Sequence, residues 1–521
     1  MAAVAAVLES RSPATGELLG TVPAADAAAV RAAAARAAAA QPLWANVPAA
    51  ARARYLRRTA RVLLEDLDPL ALALAQETGR PRTEAVLGEL LPAIAGLSEL
   101  ADDGPRALAD RRLGRPAVLR GGRRAVGIQG PRGMVGVLGG SASALAEPAL
   151  EVGAALLAGN GAVLVPAAAL AGERLHQAFL RGGVPPELLA VAHGEAAAAA
   201  LPGACDRVVS IAAPVVDGAM LVLAGAAVER VAAAALWAAL AGGGRHQAAV
   251  SRLVCVPSIA DALVAELAAR ARGLRVGDPA RPEVEVGALR TPDDLEAVEA
   301  LVEEAVGGGA ERVCGGPTAV PGLAGSFYAP AVLRRVPAGA RILREPAPGP
   351  VLVVLEAESE AAAIELVGRS GPAPGAGAPG AGAPGAGAPV ADAGGATAEE
   401  AARERRARGA VVSVWAADRP KGERVARTLR AEVAWVNEHG VLAPGPALRL
   451  ARHVAPRQLA SRPAGLGGVR RLPYDPVLVR ARTAASRFAH GREQDRLRVL
   501  RGDALPLARA AVHVARELLR R

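Results

Sequence analysis

Residues Pro131–Pro166 read PRGMVGVLGGSASALAEPALEVGAALLAGNGAVLVP, and their pattern decides the expected fold. Met134–Leu138 is a short apolar run that ends in two glycines, as is typical of a buried strand entering a turn. Glu147–Leu157 is rich in helix formers, and Ala162–Val165 predicts a second strand that the following proline ends. Strand, helix and strand in this order predict a βαβ unit with parallel strands. Ligand sites in such sheets lie at the carboxyl ends of the strands.

The same stretch resembles the start of the cofactor domain of the aldehyde dehydrogenase superfamily. The runs PRGMVGVLG, LAEPALEVGAALLAGN and AVLVP carry this resemblance in order and spacing. Further matching runs are SPATGE at 12–17, ETGRP at 77–81, GVPPELLAVAHG at 183–194, RVGDP at 275–279 and FYAP at 327–330. The resemblance covers roughly residues 10–440. It implies an α/β fold with two open parallel-sheet, Rossmann-like domains and an oligomerisation arm.

By position, the resemblance also divides the chain into parts. Residues 1–112 and 131–226 correspond to the cofactor-type domain, with residues 113–130 as an oligomerisation hairpin between them. Residues 227–432 correspond to the catalytic-type domain, and residues 433–521 to a C-terminal oligomerisation segment with a divergent helical tail. Within the second domain, residues 371–395 contain a PGAGA repeat, which predicts a flexible low-complexity insert because its side chains are too small to pack.

Composition excludes several classes of partner. The formal charge is +10, but the basic residues are dispersed and aromatic residues are only 2%, too few for base stacking, so we expect no nucleic-acid partner. Val152–Gly172 is uncharged, but glycine, asparagine and proline interrupt it, so we expect no membrane span. The N-terminus lacks a signal-peptide pattern, and the three widely spaced cysteines fit reduced thiols in the cytoplasm. The seven histidines show no metal-ligand spacing, so we expect no metal site.

The resemblance also locates the positions where the family performs its chemistry, and here they hold other residues. The family attacks an aldehyde with a cysteine thiolate, and Gln247 occupies the position of that cysteine. Ala142 occupies the position of the asparagine that binds the oxyanion, and the glutamate that acts as general base has no counterpart. By this alignment, the segment between Ala213 and Trp237 is too short for the family's usual strand and turn. A chain with these residues lacks nucleophile, oxyanion donor and base.

The cofactor positions are equally altered. Val165 and Ala168 align with the family's lysine and glutamate at the adenine ribose, and Ala213 aligns with a serine at the pyrophosphate. Pro346 aligns with a glutamate that binds the second ribose. Because none of these side chains can form a hydrogen bond, we expect no NAD(P) cofactor.

Two residues offer a different chemistry at the same place. Arg245 and His246 lie on the glycine-rich loop where the family's substrate tunnel ends, and arginine beside exposed backbone amides favours anions. None of Cys205, Cys255 and Cys314 has a sequence context typical of an activated thiolate.

These observations lead to one main hypothesis and two alternatives. The main hypothesis is a catalytically inactive superfamily member with an assembly or regulatory role, as a homo-oligomer or as a hetero-oligomer with an active homologue. The first alternative is an NAD(P)-dependent aldehyde oxidoreductase that uses non-standard residues. The second is a binding module for an anionic metabolite at the loop that carries Arg245 and His246.

Overall fold

Two β-sheets organise the chain. The computed structural model describes residues 6–109, 111–112, 126–127, 130–211, 218–244, 249–345, 347–368, 410–429, 431–440, 458–461 and 483. The strands are β1 (Val7–Arg11), β2 (Leu18–Pro23), β3 (Arg111–Arg112), β4 (Val126–Gly127), β5 (Met134–Leu138), β6 (Gly161–Val165), β7 (Leu189–Val191), β8 (Arg207–Ser210), β9 (Gly218–Val222), β10 (Val250–Cys255), β11 (Glu311–Thr318), β12 (Phe327–Arg334), β13 (Val351–Glu356), β14 (Ala410–Trp415), β15 (Ala431–Val436) and β16 (Gln458–Ser461).

Helices connect these strands and cover both sheets. They are α1 (Ala27–Ala45), α2 (Ala49–Glu65), α3 (Leu67–Thr78), α4 (Arg82–Glu84), α5 (Leu91–Ala107), α6 (Ala146–Leu157), α7 (Ala169–Arg181), α8 (Glu195–Ala204), α9 (Val228–Leu240), α10 (Pro257–Arg272), α11 (Pro292–Gly307), α12 (Glu360–Gly368) and α13 (Arg419–Thr428). A π-helical turn, Ala85–Leu90, joins α4 to α5. The side chain of Asp26 caps α1 by accepting from the amide of Ala29, as its position before the helix predicts.

The first sheet contains the βαβ unit that the sequence predicts. Its four strands are parallel and lie in the order β7-β6-β5-β8. Strand β5 spans the predicted residues, while β6 and α6 each begin one residue earlier than predicted. All five residues of β6 are buried, which explains their continuous apolar run. Helices α2, α5 and α6 share a hydrophobic core with this sheet.

The second sheet has eight strands in the order β11-β12-β13-β10-β9-β14-β15-β16. Its strands pair in parallel except at one edge, where β11 pairs antiparallel with β12. Helices α9 and α10 share one hydrophobic core with this sheet, and α11 shares another with β12 and β13. The architecture is therefore α/β, with two open, mainly parallel sheets.

Three local predictions need correction. Strand β9, followed by a turn at residues 224–225, lies between Ala213 and Trp237, so this segment is long enough for a central strand. Serine is favoured at helix caps, so the sequence predicts Ser258 as the cap of a helix, but α10 begins at Pro257 with the backbone of Val256 at the cap position. The two glycines after Cys314 predict a turn, but Cys314 lies within strand β11, at an irregularity of its pairing with β12.

Several predicted features lie outside the described residues. They include the insert 371–395, the helical tail beyond 483 and most of the hairpin 113–130. The structure describes β3 and β4 at the base of that hairpin, where they pair antiparallel. None of the helices in the described part of the chain is both long enough and apolar enough to cross a membrane.

Candidate functional site

The loop after β5 contains the position of the oxyanion donor. Ala142 is buried there, with 6% of its surface exposed, and its methyl side chain can donate no hydrogen bond. Its backbone carbonyl and that of Ser141 both accept hydrogen bonds from Nη2 of Arg80, at 3.0 and 2.7 Å. The guanidinium of Arg80 therefore fixes the path of this loop, although Arg80 is 61 residues away in the sequence.

A single buried carboxylate holds the end of the same loop and the start of α6. Glu89, on the π-helical turn, is 2% exposed and forms a buried ion pair with Arg80. The donors to its two oxygens are Nη1 of Arg80, Oγ of Ser143 and the backbone amides of Ala144, Leu145 and Ala146. These amides lie at the N-terminus of α6, which begins at Ala146, and there unpaired donors and the helix dipole favour an anion. Glu89 supplies that anion from within the chain.

Ser143 completes this arrangement. Its hydroxyl donates to Glu89 at 2.8 Å and accepts from the amide of Glu147 at 3.0 Å, so it caps the first turn of α6. Ser141, by contrast, is exposed and contributes its carbonyl. Serines are typical turn formers, and Ser143 has a capping function in addition.

The loop after β6 contains two of the cofactor positions. Val165 is the last residue of β6 and is 4% exposed, and Ala168 is the residue before α7 and is 9% exposed. Neither side chain has a polar atom. The first amides of α7, at Leu170 and Ala171, donate to the two carboxylate oxygens of Glu77 at 2.8 Å each. A second helix N-terminus at this edge of the sheet is therefore also occupied by a carboxylate of the chain.

The glycine loop after α9 is the third part of the site. Gly242, Gly243 and Gly244 all have positive φ angles, between 63° and 80°, which other residues rarely adopt. The amide of Gly242 donates to Oε1 of Glu84, and the other two amides donate to carbonyls at the end of α9. These three amides are thus already hydrogen-bonded within the chain, so an anion at this loop would depend on the residues that follow.

Five of the predicted positions lie outside the described residues: Gln247, Arg245, His246, Ala213 and Pro346. The structure brings Ala142 and Val165 to the carboxyl ends of two adjacent paired strands, β5 and β6. This is the edge at which parallel sheets bind ligands.

All three cysteines lie within described residues, and their thiols are not activated. Burial, followed by the charge of Asp206, raises the pKa of Cys205 to about 12. Burial, followed by the charge of Glu356, raises the pKa of Cys255 to about 12. Burial also raises the pKa of Cys314, which is half-buried and whose sulfur faces the carbonyl oxygen of Pro330 at 3.7 Å. Because a thiol attacks as the thiolate, each of these shifts makes the sulfur less reactive at neutral pH.

Sequence reasoning missed the charged residues that build the site. Arg80 and Glu77 are part of the ETGRP run, which carried only the family resemblance, and Glu89 lies in the apolar run AVLGELLPAI. A charged residue on the buried side of an apolar helical pattern is the signal that could have found Glu89, because buried carboxylates require partners.

The described residues contain no group of three or more potential ligands that could hold a metal ion. They also provide little for a dinucleotide, because Val165 and Ala168 are aliphatic and Glu77 already binds the amides at the start of α7. Among the described residues, the aligned cofactor positions Val165 and Ala168 therefore offer no side-chain hydrogen bond to a dinucleotide.

Comparison with known proteins agrees with the fold. A family model described as "Aldehyde dehydrogenase family" matches residues 2–206 and 216–377. The chain is 27% identical over 379 residues to a betaine aldehyde dehydrogenase of Cereibacter sphaeroides, covering 68% of this chain and 77% of the relative. It is 28% identical over 453 residues to a putative succinate-semialdehyde dehydrogenase of Mycobacterium ulcerans, covering 81% and 79%.

Solved structures show the same architecture. A putative aldehyde dehydrogenase from Burkholderia cenocepacia superimposes with a TM-score of 0.73 at 23% identity, covering 85% of this chain and 88% of that one. An aldehyde dehydrogenase from Bacillus cereus, solved as an NAD+ complex, superimposes with a TM-score of 0.72 at 21% identity, covering 84% and 86%. At these identities the likeness concerns the fold, which is α/β with parallel-sheet, Rossmann-like domains.

Proposed function

The chain belongs to the aldehyde dehydrogenase family, and on that premise we propose that it is a non-catalytic member with an assembly or regulatory role beside an active homologue. The proposal concerns this chain's own residues, since family membership by itself would suggest aldehyde oxidation. The proposal rests on the missing nucleophile, the missing polar contacts and the intact scaffold.

The state of the thiols is the observation that carries the proposal. Aldehyde oxidation in this family begins with a thiolate, which is activated by a lowered pKa or by an adjacent base. The chain has three cysteines, and burial raises the pKa of each one. Cys205 packs behind the first sheet, and Cys255 is the fully buried last residue of β10. With glutamine at position 247, the chain has no thiol at the position of the family's nucleophile.

The remaining contacts argue in the same direction. An alanine at position 142 supplies no side-chain amide to a developing oxyanion, and losing one such donor typically raises the barrier by about 2.7–4 kcal/mol. Val165 and Ala168 supply no hydrogen bond to a cofactor ribose. Several independent losses in one site are better explained by an absence of selection for the chemistry than by an altered substrate.

The scaffold, in contrast, is complete where it is described. Both sheets have fully buried cores, and the polar network around Glu89 is satisfied. That the chain keeps its fold and has lost its reactive groups favours a role other than catalysis. We therefore propose self-association, or association with an active homologue, as the retained role. Division of the chain at 112, 130, 226 and 432 remains part of this proposal.

Two measurements test the proposal. Purified protein should show no aldehyde-dependent reduction of NAD or NADP above the level of a mock purification. Co-expression with an intact homologue from the same genome should give a mixed oligomer in native mass spectrometry, or a change in that homologue's activity or stability. Turnover that persists through purification would contradict the first part, and a homologue that neither binds nor responds would contradict the second.

The match to proteins named as dehydrogenases favours one alternative, an active oxidoreductase with non-standard residues. This alternative requires a reactive thiol, and iodoacetamide labelling of the native protein can detect one. Because a thiol with a pKa of about 12 is almost wholly protonated at pH 8, Cys205 and Cys255 should label far more slowly in the native protein than after unfolding. A cysteine that labels rapidly, with parallel loss of turnover, would support the oxidoreductase instead.

A further inference from the structure

Two parts of the candidate site are held by residues of one short turn. Arg80 binds the carbonyls of Ser141 and Ala142 in the loop after β5. Four residues later, Glu84 accepts the amide of Gly242 in the glycine loop after α9. Both charged residues are buried, at 7% and 8% exposure. This turn, Arg80–Glu84, ends in the three residues of α4 and contacts two loops that belong to the two different sheets.

The same turn is also where the two halves of the chain meet backbone to backbone. The amide of Arg82 donates to the carbonyl of Pro279 at 2.8 Å. Gly79 and Gly287 approach so closely that a Cβ on Gly287 would lie 1.9 Å from the carbonyl oxygen of Gly79. The cleft beside this contact has a volume of about 20 Å³, which holds about one water molecule. The cleft is lined by Glu84 and Gly243, so little space remains beside the glycine loop.

From this geometry we propose that the turn Arg80–Glu84 is an interdomain latch that keeps the two loops of the candidate site in one closed arrangement. Glu84 provides the contact that breaks when the latch opens. The glycine loop cannot separate from the first half of the chain without breaking the hydrogen bond between Glu84 and Gly242. Three successive glycines make the loop intrinsically free to adopt other conformations, so a fixed acceptor is needed to select this one. The latch goes beyond the proposed function, since it would close the site in an active or an inactive chain.

Hydrogen exchange of the Gly242 amide tests the latch directly. Glu84→Ala removes the acceptor and should accelerate exchange at Gly242 by about tenfold, while the amides of β10 exchange as in the unmodified protein. Glu84→Gln keeps an oxygen acceptor and should accelerate exchange less. Glu99→Ala is the matched control, because Glu99 is an exposed glutamate on a helix of the same half. Site-resolved mass spectrometry measures all of these variants.

A second pair of variants tests the latch if Glu84→Ala does not fold. Gly287→Ala must push the backbones of Gly79 and Gly287 apart, and it should accelerate exchange at Gly242 without altering Glu84. Gly307→Ala is its control, because a Cβ at Gly307 meets no atom within 4 Å. Unchanged exchange at Gly242 in both Glu84→Ala and Gly287→Ala would overturn the proposal. So would acceleration that extends equally to the amides of β10, since that result indicates general unfolding.

Discussion

The ends of β5 and β6 lie side by side at the carboxyl edge of the first sheet, yet a buried ion pair holds the loop after β5, whereas the two cofactor positions at the end of β6 are aliphatic. The loop after β5 is held by the buried pair of Arg80 and Glu89, whose polar atoms bind its backbone. The loop after β6 presents the aliphatic side chains of Val165 and Ala168. Both regions are buried, so burial alone does not explain the difference.

The comparison separates two reasons for keeping a polar residue. Glu89 satisfies backbone amides that would otherwise be buried without partners, and Glu77 does the same at the start of α7. These residues are needed for folding whether or not a ligand binds. A side chain that only contacts a ligand has no such second role, so it can be replaced by alanine or valine while the fold persists.

Removing Glu89 should give the largest effect. Glu89→Ala leaves Arg80 as a buried charge without its partner and leaves the amides of Ala144, Leu145 and Ala146 without an acceptor. Breaking a buried pair from one side typically costs about 3–5 kcal/mol, so we expect a loss of this size in the free energy of unfolding. Urea denaturation followed by circular dichroism measures it.

Two further variants are compared with Glu89→Ala to explain its loss of stability. Glu89→Gln retains an acceptor oxygen and should fall between Glu89→Ala and the unmodified protein. Glu99→Ala, at an exposed position, should change stability by less than about 0.5 kcal/mol. If Glu89→Ala were as stable as Glu99→Ala, water would have replaced the carboxylate, and the loop after β5 would not depend on Glu89.

The second expected effect is a weak affinity for dinucleotides. It tests the role of the aliphatic residues at positions 165 and 168. Losing the hydrogen bonds at positions 165 and 168 should weaken binding by roughly 1–3 kcal/mol, if each is worth about 0.5–1.5 kcal/mol. This corresponds to about a fivefold to 150-fold higher Kd, before any contribution from Ala213 and Pro346. Calorimetry with NAD and NADP at millimolar concentration, beside an intact homologue as control, measures it. A micromolar isotherm would mean that Val165 and Ala168 do not prevent binding.

The apolar strands of this site could be predicted from the sequence, because a buried strand appears as a local run of apolar residues. Strands β5 and β6 are buried along their length, so each appears as a continuous apolar run that glycine or proline ends. Their order with α6 was enough to predict parallel pairing and the edge at which the site lies.

The polar network could not be predicted in the same way, because its partners are far apart in the chain. Glu89 binds amides 55–57 residues later, and Glu84 binds an amide 158 residues later. The local sequence around each of these residues does not predict that the contacts form. Strand β9 was missed for another reason, since the alignment with the family assigned too few residues to its segment. Gln247 and its neighbours in the loop lie outside the described residues, so their role stays a prediction.

The smallest expected effect concerns two serines of a single loop, the loop after β5. Ser143 and Ser141 are two residues apart, but only Ser143 donates its hydroxyl to Glu89 and accepts from the amide of Glu147. Ser143→Ala removes a helix cap and one bond to a buried carboxylate, so we expect a loss of about 0.5–2 kcal/mol in the free energy of unfolding. Ser141→Ala is the matched control, because its side chain is exposed and its carbonyl remains available to Arg80. Urea denaturation of the two variants in parallel gives the difference. Equal stabilities would show that Glu89 holds the start of α6 without help from Ser143, and the polar network would then be smaller than its geometry indicates.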